Sequence, residues 1–263
     1  MHSRITFLAA LLSATTLFAQ AHEAHGSTLL APQTTLPITF TKGISADHSK
    51  PGDTITAKTT QPIKLADGRL VGAGALVTGH VISANAFEFD KTPYAKQKPA
   101  TLEVQFDALV VRGEKLPLRV YVRAMADPLT SWDAQKPQAT DMDPLGTLTQ
   151  VGGDQLTPSQ KEILSRDGDI VGYNKRGGAF AHLIANSGRG ARCDGTDTEQ
   201  PVFIFSASAC GLYGFANLSP ISLGSASDPS HLSFSSSHGS PKIWRNSTAL
   251  LEVLANSNVT SIQ

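Results

Sequence analysis

Charge, sulfur and long apolar runs are all scarce in this chain. Only 17% of its residues are charged, and 22 basic side chains balance 22 acidic ones. Such a balance supplies no general attraction to nucleic acid or to an anionic membrane, so neither is expected as a partner. No stretch approaches the ~18 consecutive apolar residues of a membrane-spanning helix, so the mature chain is expected to lack one. Cysteine occurs twice, at Cys193 and Cys210. Two thiols without neighbouring histidines are too few donors for a metal site. In an oxidising compartment they are expected to pair, the alternative being two buried free thiols. Catalytic signatures are missing as well, with no G-x-S-x-G elbow and no twelve-residue calcium loop. The chain has no internal repeat.

What is present begins with an address. Arg4 precedes an apolar run, Ile5–Ala14, and Ala19-Gln20-Ala21 offers small residues where an export peptidase cuts. Residues 1–21 are therefore expected to be a removable signal peptide, which places the mature chain in the periplasm or outside the cell. Residues 22–34 are polar and proline-containing, and are expected to form a mobile leader.

From residue 35 to 125 the signal is that of β-strands. In Thr54–Thr60, Ile55 and Ala57 alternate with Thr54, Thr56 and Lys58. Pro51-Gly52-Asp53 and Asp67-Gly68 are turn chemistry, and Gly79 within Leu76–Ser83 marks a bulge or a close approach. Leu102, Val104 and Phe106, then Leu118, Val120 and Val122, alternate with polar residues around an Arg112–Lys115 turn. This pattern predicts a hairpin whose six apolar residues share one core. Residues 126–156 carry prolines, acids and glycines and read as a connector. Residues 157–263 read as a second β-rich region. It should start with a short helix from Thr157-Pro158 to about Ser165. Strands are expected at Val202–Phe205, Leu212–Phe215, Lys242–Trp244 and Thr248–Leu254, and Leu218–Ser240 has little apolar content to fix it. Whether the two halves share one sheet system is left open by the pattern.

The order of parts within Gly52–Val122 is recognisable. Gly52-Asp53-Thr54-Ile55-Thr56-Ala57 opens it, and Asp67-Gly68-Arg69-Leu70-Val71-Gly72-Ala73-Gly74 leads to Leu76-Val77-Thr78-Gly79-His80-Val81. A hairpin with Val104-Gln105-Phe106 and Leu116-Pro117-Leu118 follows. This segment resembles the β-rich C-terminal domain of TrbI-like conjugation proteins, components of type IV secretion, and short exported bacterial proteins with the same module. The resemblance implies a barrel-like or β-clip-like module and an envelope setting, with no catalytic residues to carry over. The chain departs from those secretion proteins in having no inner-membrane anchor or proline-rich spacer, and Val71-Gly72-Ala73-Gly74 stands in place of a Pro-Lys-Gly-like turn.

Residue types able to do chemistry occur without completing a pattern. Cleavage after Ala21 would leave His22 as an N-terminal copper chelator, with His25, His48 or His80 as further ligands. Asp167 and Asp169 flank Gly168, and Asp194, Asp197 and Glu199 follow Cys193, as turn-forming acids or calcium ligands. Ser206, Ser208, His182, His231 and His238 supply the residue types of a hydrolase. Lys175, Arg176, Arg189 and Arg192 near Tyr173 read as a solvated basic face. The expectation is thus a mainly β, non-catalytic envelope scaffold or interaction module, binding an envelope protein or itself, without cofactor. A secreted enzyme, copper-dependent or hydrolytic, is the competing class.

Overall fold

A computed structural model describes residues 30–93, 96–139, 146–175, 179–183 and 199–255. The elements run β1 (Thr35–Phe40), β2 (Ile44–Ser45), β3 (Thr54–Thr59), β4 (Ile63–Lys64), β5 (Leu70–Val71), β6 (Leu76–Asn85), β7 (Ala100–Val111), β8 (Glu114–Pro117) and β9 (Val120–Ala126). After helix α1 (Pro128–Asp133) come β10 (Leu148–Thr149), β11 (Gln155–Pro158), β12 (Glu162–Ser165), β13 (Ile170–Lys175), β14 (Ala179–Leu183) and β15 (Glu199–Pro201). The chain closes with β16 (Gly211–Tyr213), β17 (Ser219–Ser222), β18 (His231–Ser236), β19 (Lys242–Ile243) and β20 (Thr248–Val253). The protein is mainly β. No helix among the described residues is long and apolar enough to cross a membrane.

Period-two alternation builds the main sheet. Ile55 and Ala57 of β3, Val77 and Val81 of β6, and Leu102, Val104 and Phe106 of β7 are all buried in one cluster. Their neighbours Thr54, Lys58 and Asp107 are exposed. The strand order is β16-β9-β20-β1-β3-β6-β7-β18-β17, with β8 paired to β7. The ends of this order meet: Val122 N–H donates to Leu223 O at 2.6 Å, and Ser230 N–H donates to Val120 O at 2.6 Å. The sheet is therefore a nearly closed barrel, as the barrel-like expectation required. Closure satisfies most strand edges and encloses a core to which residues far apart in sequence contribute. Gly79 lies at a register shift between β6 and β7. A Cβ there would sit 2.0 Å from Gln105 O, so the close approach admits glycine alone.

Several expectations are corrected by this topology. All six hairpin residues are buried in the barrel cluster, but they do not form one hairpin. β7 pairs with β8 only as far as Pro117, and β9 then pairs with β20. Nor do the halves divide at a connector. β16, β17, β18 and β20 belong to the same sheet as β1, β3, β6, β7 and β9, so the barrel draws on both. The Ser-rich stretch 218–240 holds β17 and β18, and β18 covers the whole of Ala100–Gln105 with Leu232 and Phe234 buried. Serines on its other face hid the alternation. The proposed helix at 157–165 is instead the β11–β12 hairpin, with Leu156 and Ile163 buried. A helix that short has no packed stripe to offset its nucleation cost. The same Asx/Thr-Pro start signal works at Asp127-Pro128, where Asp127 caps α1 inside the expected connector. Residues 202–205 form a buried loop rather than a strand, joined to Val151 by a parallel bridge at Phe205. The end of the leader is anchored: Leu30 is buried and Gln33 N–H donates to Val253 O at 2.8 Å.

Strands β10 to β15 form a six-stranded sheet inserted between α1 and β16. It is tied to the barrel where Thr35 N–H donates to Gln200 Oε1 and Thr35 Oγ1 donates to Pro201 O. A smaller core gathers Ala124, Ala126 and Leu250 from the outside of β9 and β20 against Val151, Val202, Ile204, Phe205 and Ala209. This second layer explains why β9 and β20 are buried along their full length.

Candidate functional site

The site grows from the end of β9. Asp127 Oδ1 accepts the Thr130 N–H at 2.8 Å, and Pro128 supplies a preset φ at the first turn of α1. Gly214, at φ +76°, packs on that cap: a Cβ would lie 2.4 Å from Asp127 Oδ1. Ser131 anchors the helix to the barrel, with its Oγ 2.8 Å from Thr248 Oγ1. Held this way, α1 turns Leu129 and Trp132 outward, 64% and 54% exposed. Trp244, just beyond β19, is 49% exposed. The chain's only two tryptophans therefore both stand on the surface beside α1. Each carries an ammonium over its ring, Lys136 Nζ at 3.2 Å from the Trp132 centroid and Lys242 Nζ at 3.6 Å from that of Trp244.

Two concavities share the Pro128-Leu129 ridge. One, of about 630 Å³ and so of ligand-pocket size, is lined by Trp132, Phe203, Thr39, Gln135, Asn246 and Thr248 among others. Trp244, Lys242, Phe215 and Ser240 line the other. Phe203 holds φ +52°, a region that bulky residues rarely enter. Its N–H donates to Gln61 Oε1 and its carbonyl accepts from Gln150 Nε2, both at 3.3 Å, and both glutamines are buried. Two buried amides thus hold a strained aromatic residue at the wall of the cleft, the kind of outlier that accumulates at binding sites.

The residues singled out from sequence fall elsewhere. His22 and His25 lie outside the described residues, as do Asp194, Asp197, Arg176, Arg189, Arg192 and Cys193. Among the described residues no three metal-ligating side chains come together. Asp167 and Asp169 serve the β12–β13 turn, where the Asp169 N–H donates to Ser165 Oγ. Lys175 ends β13 and Glu199 opens β15. Ser206 is fully buried and its Oγ accepts the Asp154 N–H, while Ser208 is exposed. His182 lies in β14 and His238 pairs with Ser237 Oγ at 3.2 Å. His231 Nδ1 is 2.5 Å from Asp228 Oδ2, with Glu103 at 3.8 Å from Nε2. His80 Nδ1 is 3.0 Å from Asp107 on the same outer face. Each of these two histidines is paired with carboxylates, and neither is hydrogen-bonded to a serine hydroxyl among the described residues. Cys210 donates its N–H to Tyr213 Oη at 3.1 Å, and no cysteine among the described residues is free.

Sequence reasoning missed the tryptophan face. The usable signal was thin: Trp132 has Leu129 as its one apolar neighbour at helix spacing and Trp244 has none at strand spacing, so neither belongs to a long apolar stripe. No protein-family model, curated protein or solved structure matches the chain.

Proposed function

We propose that this protein is an exported, non-catalytic module of the cell envelope that binds its partner through the α1 face. The observation that carries the reading is the pair of exposed tryptophans flanking two concavities, one of them walled by the strained Phe203. Tryptophan is among the most productive binding residues because a rigid indole covers much area at little entropic cost. The export signal at residues 1–21 and the TrbI-like order of motifs support an envelope setting.

The test is co-sedimentation of periplasmic protein, confirmed by intact mass to start at His22, with isolated envelope fractions. Trp132→Ala should weaken association by about 30-fold, the scale of a hot-spot residue. Equal sedimentation of wild type and variant would overturn the assignment of the face. Under the same reading Cys193 and Cys210 pair after export. No thiol should then titrate in the denatured protein until reductant is added, and two should titrate afterwards. Two thiols before reduction would refute the pairing.

A further inference from the structure

We infer that the Trp132–Phe203 cleft takes the sugar units of an uncharged glycan chain, an inference that rests on the α1 face being the binding surface. The lining decides the chemistry. It contains no charged side chain: the amides of Gln135 and Asn246 and the hydroxyl of Thr39 stand with Trp132, Phe203, Leu129 and Pro128, while the buried Ser131 and Thr248 hydroxyls at its floor are bonded to each other. A pyranose ring has the matching surface, with apolar C–H faces above and below and a rim of hydroxyls that both donate and accept. An indole or phenyl face receives the C–H side. An amide offers donor and acceptor together to neighbouring hydroxyls.

Other ligands fit less well. A helical peptide needs a continuous apolar groove, and here amides interrupt it. An anion needs converging cations, yet Lys136 lies over the Trp132 ring and does not line this cleft. Its ammonium instead steadies the indole. Phe203 supplies the second observation. A phenylalanine held at φ +52° by the Gln61 and Gln150 amides is placed against its own backbone preference, with its side chain at the cleft wall. Beyond the Pro128-Leu129 ridge, Trp244 lines the neighbouring concavity. Pro128 and Leu129 line both concavities, so a glycan of several sugars would extend from the Trp132 cleft towards the Trp244 side, whose lining adds Asp127 and Lys242.

The probes are cellohexaose and chitohexaose, both uncharged, and the hexamer of galacturonate, which is anionic. Binding is read by titration calorimetry and by tryptophan fluorescence on the full mature chain. At least one neutral hexamer should bind and shift the emission. Trp132→Ala should weaken that binding about 30-fold or more, and Asn246→Gly, which removes the amide while tolerating the φ of +68° at this position, about 5–30-fold as a lost polar contact. Lys115→Ala, at an exposed position of β8 that lines neither concavity, should leave it within about threefold. Both Trp132 and Asn246 are exposed, so unchanged thermal unfolding of their variants separates lost binding from lost fold. Failure of both neutral hexamers, or binding of the galacturonate hexamer alone, would overturn the glycan inference. If envelope sedimentation still depended on Trp132 in that case, the wider reading would stand. Sedimentation indifferent to Trp132 would remove that reading as well.

Discussion

Truncating Phe106 to alanine is expected to destabilise the protein by about 3–5 kcal/mol, the range for removing a large aromatic side chain from a packed core. Phe106 is 1% exposed on the inner face of β7 and packs against Phe40 of β1, with ring centroids 6.3 Å apart and an interplanar angle of 41°. β3 and β6 separate those two strands in the sheet, so the contact crosses the barrel interior. A strand bonded on both sides cannot shift inward far enough to fill the space left behind, which keeps the penalty near the full cavity cost. Urea unfolding should show a lower midpoint at unchanged slope. Ile82→Ala, at a position on β6 that is 38% exposed, should change stability by less than about 0.5 kcal/mol. A Phe106 loss under ~1 kcal/mol would mean that the barrel is not closed around this residue.

Phe106 also shows what the sequence made legible. Wherever one face of a strand is buried and the other wet, alternation names the buried residues: Ile55, Val77, Leu102 and Val104 are all in the core. Turn chemistry at Asp67-Gly68 was equally plain. Arg69 donates both its N–H and its Nε–H to Asp67, and these bonds hold the Asp67 carboxyl below the usual carboxylate range. Pairing was not legible, because partners in a barrel are set by tertiary closure and not by proximity in sequence. β9 follows β8 along the chain yet pairs with β20. β18 was concealed because serines hold three of its six positions, leaving only Leu232 and Phe234 as an apolar signal. Ser233 and Ser236 are themselves buried. The candidate site was less legible still. It joins Thr39, Trp132, Phe203 and Asn246 from four distant parts of the chain. Its most unusual member is defined by a backbone angle, which composition does not carry. His80 and His231 stand on the outer face of the barrel and Ser206 is fully buried in the 202–209 loop, where residue type alone had suggested company.

Arg123→Ala is expected to cost about 3–5 kcal/mol, as is usual when one member of a buried ion pair is removed. Arg123 lies on β9 where the register against β20 shifts, with Val122 opposite Leu251 and Ala124 opposite Leu250. The extra residue reverses the inward phase: Val120 and Val122 join the barrel core before it, and Met125 does so after it. The guanidinium is thereby directed outward under the covering loop. Its side chain is 1% exposed, with Nη1 3.4 Å from Glu252 Oε2 and Nη2 donating to Ala207 O. Alanine would leave the buried Glu252 carboxylate without this cation and take a donor from the Ala207 carbonyl. The cost should therefore fall when both charges go. Arg123→Met with Glu252→Leu should be less destabilising than Arg123→Ala alone, because two desolvated charges are exchanged for packing. The double-mutant cycle of Arg123→Ala and Glu252→Ala should be non-additive by at least about 1 kcal/mol. Ala207 belongs to the same loop as Phe203, so amide exchange over residues 203–209 should accelerate in Arg123→Ala beyond the change in global stability. Additive losses with unchanged loop protection would show that the pair neither interacts strongly nor secures the loop that forms one wall of the cleft.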